Sequence, residues 1–286
     1  MITAPISPDE YESFREFLED ASGIVLGDNK HYLITSRITR LMAELSIPSF
    51  SDLLARAQED SRLRQRIMDA MTTNETSWFR DSYPYEFLTE KFYPERVRQS
   101  GKDPIRIWSA ACSTGQEPYS VGITTREFLL KNPGLMSADN IQIWGTDISS
   151  KALQHARAGL YDDVALSRGM SAELRKRYFR QEDNQWRVSD DIKKRVNFQE
   201  LNLKTGFASL GKFDIIFCRN VLIYFSPDLK ADIMYRMAQA LKPNGYLILG
   251  GSETISGYSE DFDIMRWKSV GVVYQLKPGK KKFGFG

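Results

Sequence analysis

Apolar residues recur three and four apart through the N-terminal quarter of the chain and then give way to short β-rich runs. That change of period divides the molecule. Tyr11, Phe14 and Leu18 share one helical face. Ahead of them Ser7-Pro8-Asp9-Glu10 offers a cap, a first-turn proline and the glutamate of a capping box, and Gly23 stops the run. The spacing predicts a second helix over about residues 30–45, with Ile34, Ile38, Leu41 and Leu45 as its stripe. A third follows Ser51, through Leu53, Leu54 and Ala57. Residues 1–75 thus read as a helical domain and 76–104 as a linker.

After Lys102-Asp103-Pro104 the pattern alternates strand and helix. Strands are predicted at Ile105 to Ala110, at Ile141 to Thr146 ending on Asp147, and at Phe213 to Cys218. Helices are expected from about Glu117 to Leu130, from Ser149 or Ser150, and from Ser226-Pro227-Asp228 to the stop at Leu241-Lys242-Pro243-Asn244-Gly245. Tyr246 to Leu249 and Val270 to Leu276 complete the set as an antiparallel edge. Such alternation predicts a mainly parallel, Rossmann-like α/β sheet over 105–286. Residues 158–200 interrupt it with a polar helix (Ser171 to Tyr178) and strand-like Gln185 to Val188 and Val196 to Phe198, read as a small inserted β-subdomain. The tail KPGKKKFGFG is expected to be disordered.

Composition narrows the function classes. No segment approaches the roughly eighteen uninterrupted apolar residues of a membrane helix, and the opening MITAPISPDEYESF lacks a signal peptide's basic start and apolar core. Two cysteines, Cys112 and Cys218, are too few for a disulfide scaffold, so the expected compartment is the reducing cytoplasm. A net charge of +2 argues against a broad nucleic-acid or membrane surface. With only His31 and His155, neither near other plausible ligands, no metal site or histidine-based triad is expected.

Candidate chemistry gathers at the carboxyl ends of the strands, where open parallel sheets bind ligands. The turn Ala110-Ala111-Cys112-Ser113-Thr114-Gly115-Gln116-Glu117 lets backbone pass close to a ligand before a helix N-terminus; a plain tight turn is the alternative. Asp147 can accept the hydroxyls of a cofactor ribose, or cap the next helix. Cys218-Arg219-Asn220 ends the third strand, and no Asp/Asn-Pro-Pro-aromatic motif of base or amide methylation follows it. Both cysteines read as buried structural thiols, since no histidine accompanies them. Met71 to Arg80 by itself reads as a polar helix end and an aromatic plug.

In combination these segments identify a family. Asn74-Glu75-Thr76-Ser77-Trp78-Phe79-Arg80, the ten-residue run from Ala111, Gly145-Thr146-Asp147-Ile148-Ser149, and Phe217-Cys218-Arg219-Asn220-Val221-Leu222-Ile223-Tyr224-Phe225 stand in the order and spacing of the chemotaxis receptor methyltransferases. The resemblance covers nearly the whole chain. It implies transfer of a methyl group from S-adenosylmethionine to glutamates in the cytoplasmic helical region of membrane chemoreceptors, leaving S-adenosylhomocysteine. It also implies that Asn74, Thr76, Arg80, Glu117, Asp147, Asn202, Leu203, Arg219 and Asn220 contact the cofactor, with Arg80 and Tyr224 nearest the reacting methyl.

The residues present suit that chemistry. A glutamate of pKa about 4.3 is already ionised at neutral pH and needs no strong base, so alignment and exclusion of water suffice. Arg80 can orient the incoming carboxylate and Tyr224 can hydrogen-bond beside the methyl. Family members meet the acidic methylation region through the second helix, which assigns Lys30, Arg37 and Arg40 to receptor binding, with Glu44 partly offsetting their charge. Some members also capture a receptor C-terminal pentapeptide on the insert through a longer glycine-containing loop. Here Tyr178 to Trp186 carries no glycine, and Glu182 and Asp183 would repel an acidic peptide. Independence from such a tether is expected.

Overall fold

The structure, a computed structural model, describes residues 6–99, 103–268 and 271–278. The N-terminal residues build α1 (Pro8–Ser22), α2 (His31–Glu44), α3 (Phe50–Glu59) and α4 (Ser61–Met71). The capping box forms: Ser7 Oγ accepts from the Glu10 N–H at 3.2 Å, and the Ser7 N–H donates to Glu10 Oε2 at 3.1 Å. Gly23 then ends α1 in the left-handed region, at φ 80°. Helix α3 starts before Ser51, because Ser49 rather than Ser51 accepts the capping N–H, from Asp52. Phe14, Leu18, Ile34, Ile38, Leu53 and Ile67 close one core; Met42 joins it, while Leu45 is only half-buried.

Helix also fills the stretch read as a linker. Residues Tyr83–Phe87 (α5), a π-helical turn at Leu88–Phe92 and Tyr93–Arg98 (α6) press Phe87, Phe92 and Tyr93 into the sheet's core. Pro84 and Pro94 sit in the opening turns of α5 and α6, where a missing N–H costs nothing.

The remaining elements run β1 (Ile105–Ala110), α7 (Gln116–Lys131), β2 (Ile141–Asp147), α8 (Ser150–Ala158), β3 (Leu160–Tyr161), α9 (Asp163–Ser167), α10 (Ala172–Tyr178), β4 (Phe179–Glu182), β5 (Gln185–Val188), α11 (Asp190–Lys193), β6 (Val196–Glu200), β7 (Phe213–Cys218), α12 (Pro227–Ala240), β8 (Leu241–Leu249), β9 (Phe262–Trp267) and β10 (Gly271–Leu276). They form a seven-stranded sheet of order β6-β2-β1-β7-β8-β10-β9 and a three-stranded sheet of order β3-β5-β4. This is the expected Rossmann-like α/β architecture behind a helical N-terminal domain.

Two placements differ from the sequence reading. Val196–Glu200 is not part of the insert's sheet: it pairs parallel with β2 at the edge of the large one, so the insert's strands end at Val188. The antiparallel pair β8–β10 forms but is not the edge, because β9 flanks β10. The predicted strand start Val270 and the tail from Gly279 lie outside the described residues. No described helix is long and apolar enough to cross a membrane.

Register positions the site. Ala110 is level with Thr146 on one side and Cys218 on the other. The residues just beyond, Ala111, Asp147 and Arg219, therefore leave the sheet together at the β1 switch in strand order, where such sheets bind ligands.

Candidate functional site

The turn after β1 is built from left-handed backbone: Ala111 at φ 62°, Ser113 at 50° and Gly115 at 95°. For the two non-glycines such φ costs on the order of 1–3 kcal/mol each and collects at functional sites. At Gly115 a Cβ would stand 2.9 Å from that of Ala156, so a side chain does not fit. The turn aims the Ser113 N–H at Asp147 Oδ2, 2.7 Å away, while the Ser149 N–H reaches Oδ1 at 2.9 Å. The side-chain cap of α8 is Ser149, which accepts from the Ala152 N–H; Asp147 instead ties two turns together. Burial pushes the Asp147 carboxyl above the usual aspartate range, and its bonds to main-chain N–H groups only partly reverse this.

Beside it lies a buried ion pair. Glu117, in the first turn of α7, accepts from Ser109 Oγ at 2.7 Å and from Arg219 Nη1 at 2.8 Å. Arg219 Nη2 also donates to Asp81 Oδ2 at 2.6 Å and to the Arg80 carbonyl at 2.9 Å. Burial pulls the Arg219 pKa down, but Glu117, Tyr85 and Asp81 outweigh it and raise it above the ordinary arginine value. Arg219 Nε and Asn220 Oδ1 are buried without a hydrogen-bond partner among the described residues. Buried polar atoms of that kind call for a ligand or water.

The segment from Thr72 to Arg80 runs along the opposite wall. Trp78 is the expected plug, packed edge-on against Tyr161 and Phe179. Its carbonyl lies where a Cβ on Gly169 would be, so the insert can close on this segment only through glycine. Ser113 Oγ donates to the Asn74 carbonyl at 2.9 Å, joining the segment to the β1 turn. The resulting cleft is lined by Asn74, Thr76, Arg80, Glu117, Asp147, Asn202, Leu203, Arg219, Asn220 and Tyr224. Apolar Ile148, Leu201 and Leu203 form one side of it. Arg80 is half-buried, and among the described residues its guanidinium makes neither an ion pair nor a hydrogen bond.

The three cations assigned to docking separate. Lys30 and Arg40 are exposed and lie away from the cleft, Arg40 pairing with Glu44 at 3.2 Å. Arg37 lines the cleft instead, with Nη1 donating to the Met71 carbonyl at 2.7 Å. The two thiols are buried, and burial pushes both up. Neither histidine lines the cleft, and no metal-binding cluster exists among the described residues.

Three supporting residues escaped the sequence reading. Glu253 accepts the N–H groups of Asn220, Val221, Leu222 and Gly250 at 2.7, 3.0, 2.8 and 2.8 Å, which fixes the loop leading to Tyr224. Asp69 accepts from Ser149 Oγ, Ser150 Oγ and the Lys151 N–H, and Gln65 Nε2 donates to the Ile148 carbonyl at 2.8 Å, so α4 is fastened to the start of α8. Asp69 lies in α4, which the sequence reading did not separate out as a helix, and gave no such signal; Glu253, just after Gly250-Gly251-Ser252, offered a weak one.

Comparison with known proteins agrees with this geometry. The family description "CheR methyltransferase, all-alpha domain" matches residues 9–72, and "CheR methyltransferase, SAM binding domain" matches residues 74–270. Chemotaxis protein methyltransferase 1 of Vibrio cholerae is 48% identical over 97% of this chain and 100% of its own length. Chemotaxis protein methyltransferase 1 of Pseudomonas aeruginosa is 47% identical over 94% of this chain and 98% of its own. Among solved structures, the N-methyltransferase NodS of Bradyrhizobium japonicum, in complex with S-adenosyl-L-homocysteine, is a distant likeness: 14% identity, TM-score 0.38, covering 71% of this chain and 92% of that one. The chain belongs to the CheR family of S-adenosylmethionine-dependent methyltransferases.

Proposed function

We propose that this methyltransferase esterifies glutamate side chains in the cytoplasmic helical region of membrane chemoreceptors. The observation that carries the reading is the Arg80 guanidinium, unpaired among the described residues, in a cleft that Tyr224 also lines and no described histidine does. An arginine with free donors orients a carboxylate, and a carboxylate nucleophile, unlike an amine, has no proton to lose. S-adenosylmethionine supplies a methyl group on a sulfonium, which passes to a carboxylate oxygen as the carbon–sulfur bond breaks. Asp147 holds the ribose hydroxyls. Asn74, Thr76, Glu117, Asn202, Leu203, Arg219 and Asn220 hold the remainder, with the orphaned Asn220 Oδ1 and Arg219 Nε as built-in polar partners. Tyr224 and Arg80 flank the reacting methyl, and desolvation in the cleft strengthens both.

Lys30, Arg37 and Arg40 on the α2 side attract the acidic methylation region, placing the enzyme in the cytoplasm with its receptor. Tether independence is supported by the short turn of the insert, where only Asp183-Asn184 separates β4 from β5; the repulsion expected from Glu182 does not add to it, because Arg187 and Arg180 pair with that carboxylate. The test incubates the enzyme with labelled S-adenosylmethionine and receptor-containing membranes. Label released as methanol by mild alkali is expected; base-stable label would reject ester formation. Specific binding of a receptor C-terminal peptide, lost on disrupting Trp186 to Val188, would reject tether independence.

A further inference from the structure

We infer that Arg37 is a positioning residue of the cofactor site, whatever it adds to the charge of α2. Sequence spacing puts Arg37 and Arg40 on one flank of the helix, as if they were equivalent. The structure separates them. The Arg40 side chain is 87% exposed and among the described residues pairs only with Glu44, whereas Arg37 is half-buried and turns toward the end of α4. Its Nη1 donates to the Met71 carbonyl at 2.7 Å, with a longer contact to the Thr72 carbonyl at 3.4 Å, and Nη2 reaches Thr73 Oγ1 at 3.3 Å.

Met71 is the last residue of α4, and terminal carbonyls have no partner within the helix. A guanidinium there satisfies them and complements the negative end of the helix dipole. The contact leads directly into the site. Thr73 precedes Asn74, whose carbonyl accepts from Ser113 Oγ, and the Ser113 N–H binds Asp147. Asp69 and Gln65 already fasten the side of α4 to α8. Arg37 fixes the direction in which the chain leaves that helix, and so where Asn74 and Thr76 stand on the cleft wall. The inference rests on cofactor binding alone, not on the receptor reading.

Titration calorimetry with S-adenosylmethionine, without receptor, tests it on the full chain. Arg37→Ala should raise Kd about tenfold, since part of the worth of a charge-assisted guanidinium-to-carbonyl hydrogen bond is passed on to the cofactor. Arg37→Lys, which keeps charge but loses the fork, should raise it by a smaller factor, and Arg40→Ala should leave it unchanged. A purely structural arginine would lower Tm and leave Kd alone. An unchanged Kd in folded Arg37→Ala overturns the inference, as does an equal rise in Arg40→Ala. If Arg37→Ala fails to fold, Arg37→Lys decides, and a wild-type Kd there overturns it.

Discussion

Two buried aspartates lie at opposite ends of the sheet's parallel strands, one at the edge formed by their carboxyl ends and one at the edge formed by their amino ends. Asp147 ends β2, and Asp214 stands near the start of β7; they are 6% and 4% exposed. Asp214 is closed in by cations: it accepts from Lys242 Nζ at 2.8 Å and the Arg106 N–H at 2.8 Å, and pairs with Arg96 at 3.2 Å. Asp147 has main-chain donors only, and no ion pair among the described residues. An ionised carboxylate offers about four acceptor sites, and Asp147 keeps more of them free than Asp214 does. Burial is therefore a poor guide to role. The partners separate them, cations closing the structural edge and backbone alone leaving the other open. Left-handed Ala111, Ser113 and Asn220 cluster at that open edge.

The contrast is broken most strongly at the closed edge. Asp214→Ala leaves Lys242 and Arg96 unpaired beside a buried strand. Removing one partner of a fully buried pair costs roughly 3–5 kcal/mol, and because both cations keep partial solvent access the expected loss is about 2–3 kcal/mol. Denaturant unfolding should show that loss with S-adenosylmethionine affinity unchanged. An affinity loss as large as the stability loss would mean that the edges are not separate.

Asp147→Ala is expected to do the reverse. Affinity for S-adenosylmethionine should fall by about 1.5–3 kcal/mol, the worth of charge-assisted hydrogen bonding, while Tm moves much less than in Asp214→Ala. The modest stability effect follows from the raised Asp147 pKa. A carboxyl raised by folding destabilises the fold when ionised, above its folded pKa, and that cost disappears as pH falls through it. Acidification should accordingly weaken S-adenosylmethionine binding at a pH above the usual aspartate range, and the mutant should lose that slope in titration calorimetry.

Glu253→Gln ranks next. The amide keeps one acceptor oxygen and turns an NH2 group toward N–H donors, so about two of the hydrogen bonds are lost, with an expected cost of roughly 1–2 kcal/mol in stability. Because the loop it holds carries Asn220 and Tyr224, kcat should fall further than the change in Tm explains. Methylation rates beside thermal melts would check this; wild-type kcat in the mutant would remove Glu253 from the site's support.

Elements specified locally were legible in the sequence. Ser7, Glu10 and Gly23 frame α1 by hydrogen bonds within a few residues, and β1, β2 and β7 are short runs rich in β-branched and aromatic residues, most of them buried. Strand β9 was not legible: Asp263, Ile264 and Arg266 are exposed on an edge, so neither face imposes a pattern. Val196–Glu200 looks like a strand in sequence, but its partner is chosen by tertiary packing. The cleft residues could be named from the family resemblance, and all but Asn202 and Leu203 sit in a dense local motif. Asp69 and Glu253, and the contact of Arg37 with the end of α4, could not, because these are long-range bonds, mostly to backbone, that carry no side-chain signature.

The smallest effect is expected away from both edges, on the exposed cations of α2. Lys30 and Arg40 touch nothing that shapes the cleft, and Arg40 shares Glu44 with Arg66, so exposed pairing contributes at most about 1 kcal/mol to stability. Lys30→Glu with Arg40→Glu should leave Tm and S-adenosylmethionine affinity near wild type. What should change is the encounter with an acidic receptor surface, which depends on charges acting over the Debye length, roughly 10 Å at 0.1 M salt. Receptor methylation by the double mutant should be slower at low ionic strength, and the gap from wild type should close as salt rises. Arg37 is left intact, since its loss would also disturb the cofactor segment. Equal rates for both proteins at low and moderate salt would place receptor docking on another face.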